Sequence, residues 1–291
     1  MLLILNMRGI LNMAIVDGKK LSQDIREKLE PRIAALKARG IIPGLTVILV
    51  GDDPASHVYV NNKERAAQQL GMNGHVLRLS ADTGEAQLLE LVDKLNADAT
   101  VHGMLIQLPL PDHINELNVL ERVNPKKDVD GIHTLSMGNL VVGRKGFVSC
   151  TPKGIIKLIE STGERIEGKH AVIIGRSNIV GKPAALSLLA KNATVTICHS
   201  KTKALADITR TADILVAAVG KPNFVTADMV KPGAIVIDAG TSKVDGKLTG
   251  DVKFDEVAPL VSFITPVPGG VGPMTITMLM ENTVEAAEIY G

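Results

Sequence analysis

HAVIIGRSNIVGKPAALSLL, residues 170–189, stands between two readings: a nucleotide-holding turn and an ordinary strand–helix junction. A short aliphatic run, Ala171 to Ile174, ends at Gly175, and a helical run begins at Val180. The spacing departs from G-x-G-x-x-G, because Arg176 and Ser177 follow the first glycine and the next is Gly181. The physics survives that departure. A pyrophosphate needs a strand ending in a tight turn, with backbone N–H groups free at a helix N-terminus. Gly175 supplies the turn, Gly181 allows close approach, and Pro183 suits an early helical position where a missing N–H does no harm. Taken alone, the segment also fits a strand–helix turn with a solvated arginine.

The end of the next strand bears on which dinucleotide would fit. An NAD site has Asp or Glu there, accepting hydrogen bonds from the ribose 2′-OH. Here TVTICHSKT (194–202) ends in His199, Ser200 and Lys201, and the first acid afterwards is Asp207. An acid would repel a 2′-phosphate, whereas Arg176, Ser200 and Lys201 would attract one. This argues for NADP over NAD.

Working outward, the spacing predicts a helix at 151–162, a strand at 170–175, a helix at 180–192, a strand at 194–198 and a helix at 203–211. Strands at 214–219, 234–239 and 262–265 complete that series. Before it, residues 19–39 carry Leu21, Ile25, Leu29, Ile33 and Leu36 on one helix face, interrupted by Pro31. Strands at 45–51, 75–80 and 101–108 alternate with helices at 54–70, 84–97 and 115–123, the pattern of a parallel sheet. Residues 138–150 are glycine-punctuated and read as irregular, which puts a boundary near 147. A last helix, 273–289, is expected to pack back on the first domain.

With 291 residues, two domains fit, and at 45% hydrophobic content a sizeable core is expected. Aromatics are only 2%, so that core must be aliphatic, and the net charge of +1 gives no general pull toward nucleic acid or anionic membrane. Cys150 and Cys198 form no C-x-x-C; core packing and a reducing cytoplasm fit them best. The start, MLLILNMRGILNM, is broken by Asn6, Arg8 and Asn12 and lacks the marks of a signal peptide, so residues 1–12 read as an extension. No stretch is long and apolar enough for a transmembrane helix.

The polar candidates begin with HVYVNNKERAAQQL, 57–70. At ~100° per residue, Tyr59, Val60, Ala66, Ala67 and Leu70 fall within roughly 60° of Lys63. Lysine is rarely buried alone. Either this one snorkels out of the stripe, or it points into a cleft, where partial desolvation lowers its pKa and fits it for acid–base work. Gln107 closes the third strand with an amide able to donate and accept at once. Asp128 and Asp130 lie in KKDVDG, which in isolation is a solvated charged loop. PVPGGVGPMT (266–275) mixes rigid and permissive backbone, suited to a ligand-facing loop or a domain hinge.

Taken together, VGDDPASHVYVNNKERAA, IQLPLP, KDVDGIH, TPKGI, GRSNIVGKP, ATVTICHSKT, TADILVAAVGKP, PGAIVIDAG, GDV and FITPVPGGVGPMT resemble the bifunctional methylenetetrahydrofolate dehydrogenase/cyclohydrolase family, from about Met13 onward. The resemblance implies an α/β fold of two domains with a cleft between them. One is an N-terminal α/β domain with a parallel sheet, the folate-binding catalytic domain (1–147 plus 269–291). The other is a Rossmann-like NADP-binding domain (148–268). It implies Lys63 as the reactive lysine, Gln107 beside it positioning the one-carbon bridge, and Asp130 rather than Asp128 gripping the pterin. Tyr59 would stack on the aminobenzoyl ring, with Pro268, Gly269 and Gly270 at the substrate. Gly175, Arg176, Ser177, Ser200 and Thr241 match the NADP contacts, Thr241 standing where the family often has isoleucine.

The implied reactions are oxidation of 5,10-methylenetetrahydrofolate by NADP⁺ to the methenyl compound, then hydrolysis to 10-formyltetrahydrofolate, with no metal needed. Tetrahydrofolate derivatives are the expected partners, with no nucleic acid or membrane, in a cytoplasmic homodimer. Two alternatives stand beside this reading. An NAD-using, dehydrogenase-dominant relative is opposed by the acid-free end of 194–202. An NADP-binding regulatory module without turnover is opposed by the retention of Lys63, Gln107 and Asp130 together.

Overall fold

The computed structural model describes residues 13–291; the expected extension at 1–12 lies outside the described residues. In chain order the first elements are β1 (Ala14–Ile15), α1 (Gly18–Ala38), β2 (Gly44–Val50), α2 (Pro54–Gln69), β3 (Asn73–Leu79), α3 (Glu85–Ala97), β4 (Gly103–Ile106), α4 (Glu116–Arg122) and α5 (Thr134–Val141). There follow α6 (Cys150–Ser161), β5 (His170–Ile174), α7 (Gly181–Leu189), β6 (Thr194–Cys198), α8 (Leu205–Thr209), β7 (Ile214–Ala217) and β8 (Ile235–Asp238). The chain closes with β9 (Ser242–Val244), β10 (Lys247–Thr249), α9 (Phe254–Val257), β11 (Phe263–Ile264) and α10 (Val271–Tyr290). Two compact units result, Gln23–Cys150 with Ile276–Gly291, and Thr151–Thr275 with the described part of Met1–Ser22.

The first unit holds a three-stranded parallel sheet in the order β3-β2-β4. Every residue of β2, GLTVILV, is buried, as expected of a central parallel strand covered on both faces. Its core gathers Ile48, Val50, Leu88, Val92, Met104, Ile106 and Val119. Beyond β4 the chain continues the sheet irregularly: the Met104 amide donates to the Lys127 carbonyl at 2.8 Å, and Met104 bridges Asp128 in parallel. α5 runs into the stretch 138–150 that reads as irregular, and its first residues lie before that stretch. Leu135 and Val141 are exposed while Met137 and Leu140 are half-buried, and its start is held by the His133 side chain accepting from the Leu135 amide at 2.9 Å.

The second unit holds a six-stranded parallel sheet in the order β1-β11-β8-β7-β5-β6. From β5 the chain steps to β6 on one side and then crosses to β7 on the other, which makes the ends of β5 and β7 a topological switch point. Val172, Ile174, Leu215, Ala217, Val236 and Ile264 build its core.

The unit bounds differ from the sequence-based domains. Residues 14–15 add a strand to this second sheet, Ala14 beside Phe263 and Ile15 beside Ile264. Two residues are too few to show any alternation. Residues 269–275 also stand with this unit: the Gly269 carbonyl accepts from the Lys19 amide at 3.1 Å. The remainder of α10 joins the first unit, where Met278, Leu279, Met280, Val284, Ala286 and Ala287 are buried. The β9–β10 hairpin was absent from the sequence reading because its residues are largely exposed and show no apolar alternation. Its turn carries positive φ at both Asp245 and Gly246, the two-residue geometry that Asp-Gly favours.

Candidate active site and strand-end turns

α2 begins with Asp53 accepting from the Ser56 amide at 2.7 Å and Pro54 in the first turn. Val60, Ala66, Ala67 and Leu70 are buried on its inner face. Lys63 sits partly buried on that stripe, while Tyr59 is exposed. The lysine does not snorkel away. Its Nζ donates to Gln107 Oε1 at 2.9 Å, and Gln107 Nε2 donates in turn to the Leu108 carbonyl at 2.7 Å. The second bond fixes the amide so that its oxygen faces the amine. The Gln107 backbone N–H donates to the Ile48 carbonyl at 2.8 Å, which ties the pair to the central strand.

Asp130 completes the cluster. Burial pushes the Lys63 amine below its ordinary range, and the Asp130 charge pulls it back up. Burial likewise raises the Asp130 carboxyl, opposed by the Lys63 ammonium and a hydrogen bond from the Cys150 thiol. Desolvation thus pushes both partners toward neutrality while their mutual attraction favours the ion pair.

The neighbouring Asp128 is used differently. It is buried and accepts from the Ile132 amide at 3.3 Å, the His133 amide at 3.0 Å and Ser136 Oγ at 2.6 Å. Burial lifts its carboxyl to about 6, against these donors. The two aspartates of KDVDG are therefore distinct: Asp128 organises the loop, and Asp130 lies beside Lys63 and Cys150. Sequence reasoning missed this role for Asp128. It also read Cys150 as core alone, whereas its thiol faces Asp130 and also meets the Val129 carbonyl at 3.4 Å. Asn282 of α10 donates to the Val129 and Val148 carbonyls at 2.8 and 3.2 Å, bracing both flanks of that acid. A buried asparagine in an apolar helix was the available signal.

In the second unit, Gly175 ends β5 with φ +127, and a Cβ there would stand 2.1 Å from the Ala218 carbonyl oxygen. A Cβ on Gly181 would stand 2.3 Å from the Gly175 carbonyl oxygen. Both glycines let backbones approach where any side chain would intrude. One detail departs from expectation. The amides of Val180 and Gly181 are not free but donate to Ser177 Oγ at 3.1 and 3.3 Å, and the Lys182 amide donates to the Ser177 carbonyl at 3.0 Å. Ser177 caps the turn, and Arg176 stands exposed at its tip.

At the end of β6, Ser200 and Lys201 are exposed, and Asp207 is engaged by Arg210. Thr241 is exposed just after the buried Gly240, beyond β8. Pro268, Gly269 and Gly270 follow β11 in this same unit, with a cis bond at Val267–Pro268 and φ +112 at Gly269. The structure thus brings Lys63, Gln107 and Asp130 together in one unit. It sets Gly175, Arg176, Ser177, Ser200 and Thr241 on strand-end loops of the other.

Comparison with known proteins accounts for both units. The tetrahydrofolate dehydrogenase/cyclohydrolase catalytic-domain model matches residues 16–130, and the NAD(P)-binding-domain model of the same name matches residues 149–290. The chain belongs to the tetrahydrofolate dehydrogenase/cyclohydrolase family. A bifunctional protein FolD of Acidovorax ebreus is 58% identical over 94% of this chain and 98% of that protein. The bifunctional FolD methylenetetrahydrofolate dehydrogenase/cyclohydrolase of Campylobacter jejuni superposes with a TM-score of 0.94 at 49% identity, over 95% of this chain and 99% of its own. The Trypanosoma brucei methylenetetrahydrofolate dehydrogenase-cyclohydrolase, solved with NADP cofactor and inhibitor, gives 0.91 at 38% identity, covering 95% of this chain and 98% of its own. Like other members of the family, this chain pairs a catalytic domain with a nucleotide domain. Among the described residues no group of three or more His, Cys, Asp or Glu side chains could hold a metal ion.

Proposed function

We infer that this chain oxidises 5,10-methylenetetrahydrofolate with NADP⁺ and hydrolyses the product to 10-formyltetrahydrofolate, with Lys63, Gln107 and Asp130 as its reactive residues. The contact that carries the reading is the 2.9 Å hydrogen bond from Lys63 to Gln107, beside the Asp130 charge.

The nucleotide unit suits NADP. Arg176, Ser200 and Lys201 are exposed around a strand end with no unengaged acid, a setting that favours a 2′-phosphate. The close approach of Gly175 to Ala218 opens backbone room at the switch point, and Thr241 lies two strands over. NADP⁺, when bound, accepts the hydride. In the first unit Asp130 grips the pterin, its carboxylate accepting from two adjacent N–H groups of the amino-pyrimidinone edge. Gln107 and Lys63 hold the one-carbon bridge, and Tyr59 stacks on the aminobenzoyl ring. Pro268, Gly269 and Gly270 also bear on the substrate. The folate nitrogen lone pair drives the hydride off, so the residues contribute alignment.

In the second step water attacks the cationic methenyl carbon. Lys63 in its neutral form takes a proton from that water as the C–O bond forms. The ring then opens at a C–N bond to leave the formyl group, with net release of one proton. A cationic substrate itself favours the neutral amine.

The first unit is thus the folate-binding catalytic domain and the second the NADP-binding domain. The enzyme works in the cytoplasm as a homodimer. β6, an edge strand with Ile197 exposed, offers a surface for self-association. Among the described residues no helix is long and apolar enough to cross a membrane.

A spectrophotometric assay with methylenetetrahydrofolate and each nicotinamide cofactor tests the reading. Reduction of NADP⁺ in preference to NAD⁺ is expected. Reduction of neither would end the enzymatic assignment.

A further inference from the structure

Two buried carboxylates in the nucleotide unit take no part in the chemistry above. Asp238 closes β8, and Asp251 follows the β9–β10 hairpin. One Asp238 oxygen accepts from the Gly240 and Asp251 amides, each at 2.9 Å, and the other from the Val252 amide at 2.8 Å. These amides are the entry and the exit of the hairpin. Asp251 reaches sideways instead. It accepts from the amides of Val219 and Gly220 at 2.6 and 3.0 Å on one oxygen, and of Lys221 at 2.8 Å on the other. Those three residues form the loop leaving β7.

The two segments interlock. A Cβ on Gly240 would stand 2.1 Å from Asp251 Cγ, and a Cβ on Gly250 would stand 2.0 Å from Asp238 Oδ2. Each carboxylate sits over a glycine belonging to the other aspartate's segment. Ser242 Oγ adds a contact to the Gly220 carbonyl at 3.5 Å. Six backbone donors on two buried carboxylates far exceed what is needed to end a strand. They fix one loop and one hairpin base as a single rigid wall.

The place of that wall gives it a use. Ligands of open parallel sheets lie outside the carboxyl ends of the strands at the switch point, here β5 and β7. The Arg176 turn and the Ser200 strand end serve the pyrophosphate and the 2′-phosphate half. A dinucleotide running on across the switch point comes over the ends of β7 and β8, where Val219–Lys221 and Gly240–Thr241 lie. We propose that Asp251, seated by Asp238, is a positioning residue for the nicotinamide half: it holds the β7 loop and the hairpin base in the register that hydride transfer needs. The proposal rests on NADP binding in this unit.

The test is Asp251→Asn, which keeps shape but turns an NH₂ toward at least one of the three amide donors. Dehydrogenase kcat is expected to fall by about tenfold or more, as small misplacements of reacting groups do. Cofactor-independent cyclohydrolase turnover and binding of 2′,5′-ADP, which lacks the nicotinamide half, are expected to stay within about twofold. Asp238→Asn should show the same split. Hydride transfer within about twofold of the unmodified protein would overturn the proposal. So would loss of 2′,5′-ADP binding in step with NADP. If neither variant folds, hydrogen exchange in the unmodified, cofactor-free protein decides: slow exchange at Val219, Gly220 and Lys221 is expected, and fast exchange there contradicts the account. Failure of 2′,5′-ADP to bind the unmodified protein would instead count against NADP binding itself.

Discussion

The Lys63 cluster and the Gly175 turn solve opposite problems with opposite materials. At Lys63 the working parts are side chains, and burial changes their protonation: amine, carboxyl and thiol face one another with a fixed amide. At Gly175 the working parts are backbone, and side chains matter by their absence, since a Cβ would collide with Ala218. The charge there, Arg176, is left in solvent. Proton transfer needs groups poised between two states, whereas holding a phosphate needs shape and a fixed charge. A substitution at the first region should therefore change rates and pH profiles, and one at the second should change cofactor affinity.

Lys63→Met is the most severe way to break this contrast. Cyclohydrolase turnover is expected to fall by about 10² or more, the usual worth of a positioned acid–base group. NADP affinity, read by fluorescence titration, should hardly change. Equal losses in both would make the lysine structural.

Asp128→Asn sharpens the contrast through pH. Its carboxyl is raised in the folded protein, to about 6, above its value of 3.8 in an unstructured chain. The native state therefore binds more protons than the unfolded state between those values. The stabilisation is full below the unfolded value and is lost as pH rises through the folded one, by at most about 3 kcal/mol. Denaturant unfolding from pH 4 to 7 should show a larger loss in the unmodified protein than in the variant, which retains the contribution of Asp238, a carboxyl that burial also lifts to about 6. Parallel curves would mean that Asp128 titrates normally.

Gly175→Ala tests the other side. Its Cβ must displace the Ala218 carbonyl, at a cost of about 1–3 kcal/mol in stability. NADP affinity should fall, while cyclohydrolase activity, measured below the melting temperature, persists. Arg176→Ala is the mildest, an exposed charge lost without repacking. NADP should bind up to about tenfold more weakly with NAD unaffected, the size of one charge-assisted contact. An equal loss for both cofactors would place Arg176 at the pyrophosphate rather than the 2′-phosphate.

Much of this was legible before any coordinates. Lys63 stood out because a cation on an apolar stripe is a local anomaly, but spacing alone left snorkelling and a cleft-facing amine open, and the resemblance supplied the reactive role. Gln107 followed from its place at a strand end. The alternating apolar runs placed the sheets, since β2 is buried throughout and so is aliphatic throughout. What escaped had no local signature. β1 is held by a distant partner, β11 beside Ala14, and α5 is anchored by Asp128 accepting from Ser136. By residue type and spacing Asp128 and Asp130 read alike, and the family resemblance alone separated them, because only the fold decides which carboxylate is consumed by amides. The Asp238–Asp251 interlock joins segments whose coupling appears only when their glycines meet the opposite carboxylates.

The central claim is that the Lys63 amine is held partly out of water and steadied by Asp130. An NMR titration of the Lys63 ammonium in the cofactor-free enzyme measures this directly, with Asp130→Asn beside it. The account predicts a midpoint below the ordinary lysine value, moving lower still when the Asp130 charge is removed. A midpoint at the ordinary value in both proteins would contradict it.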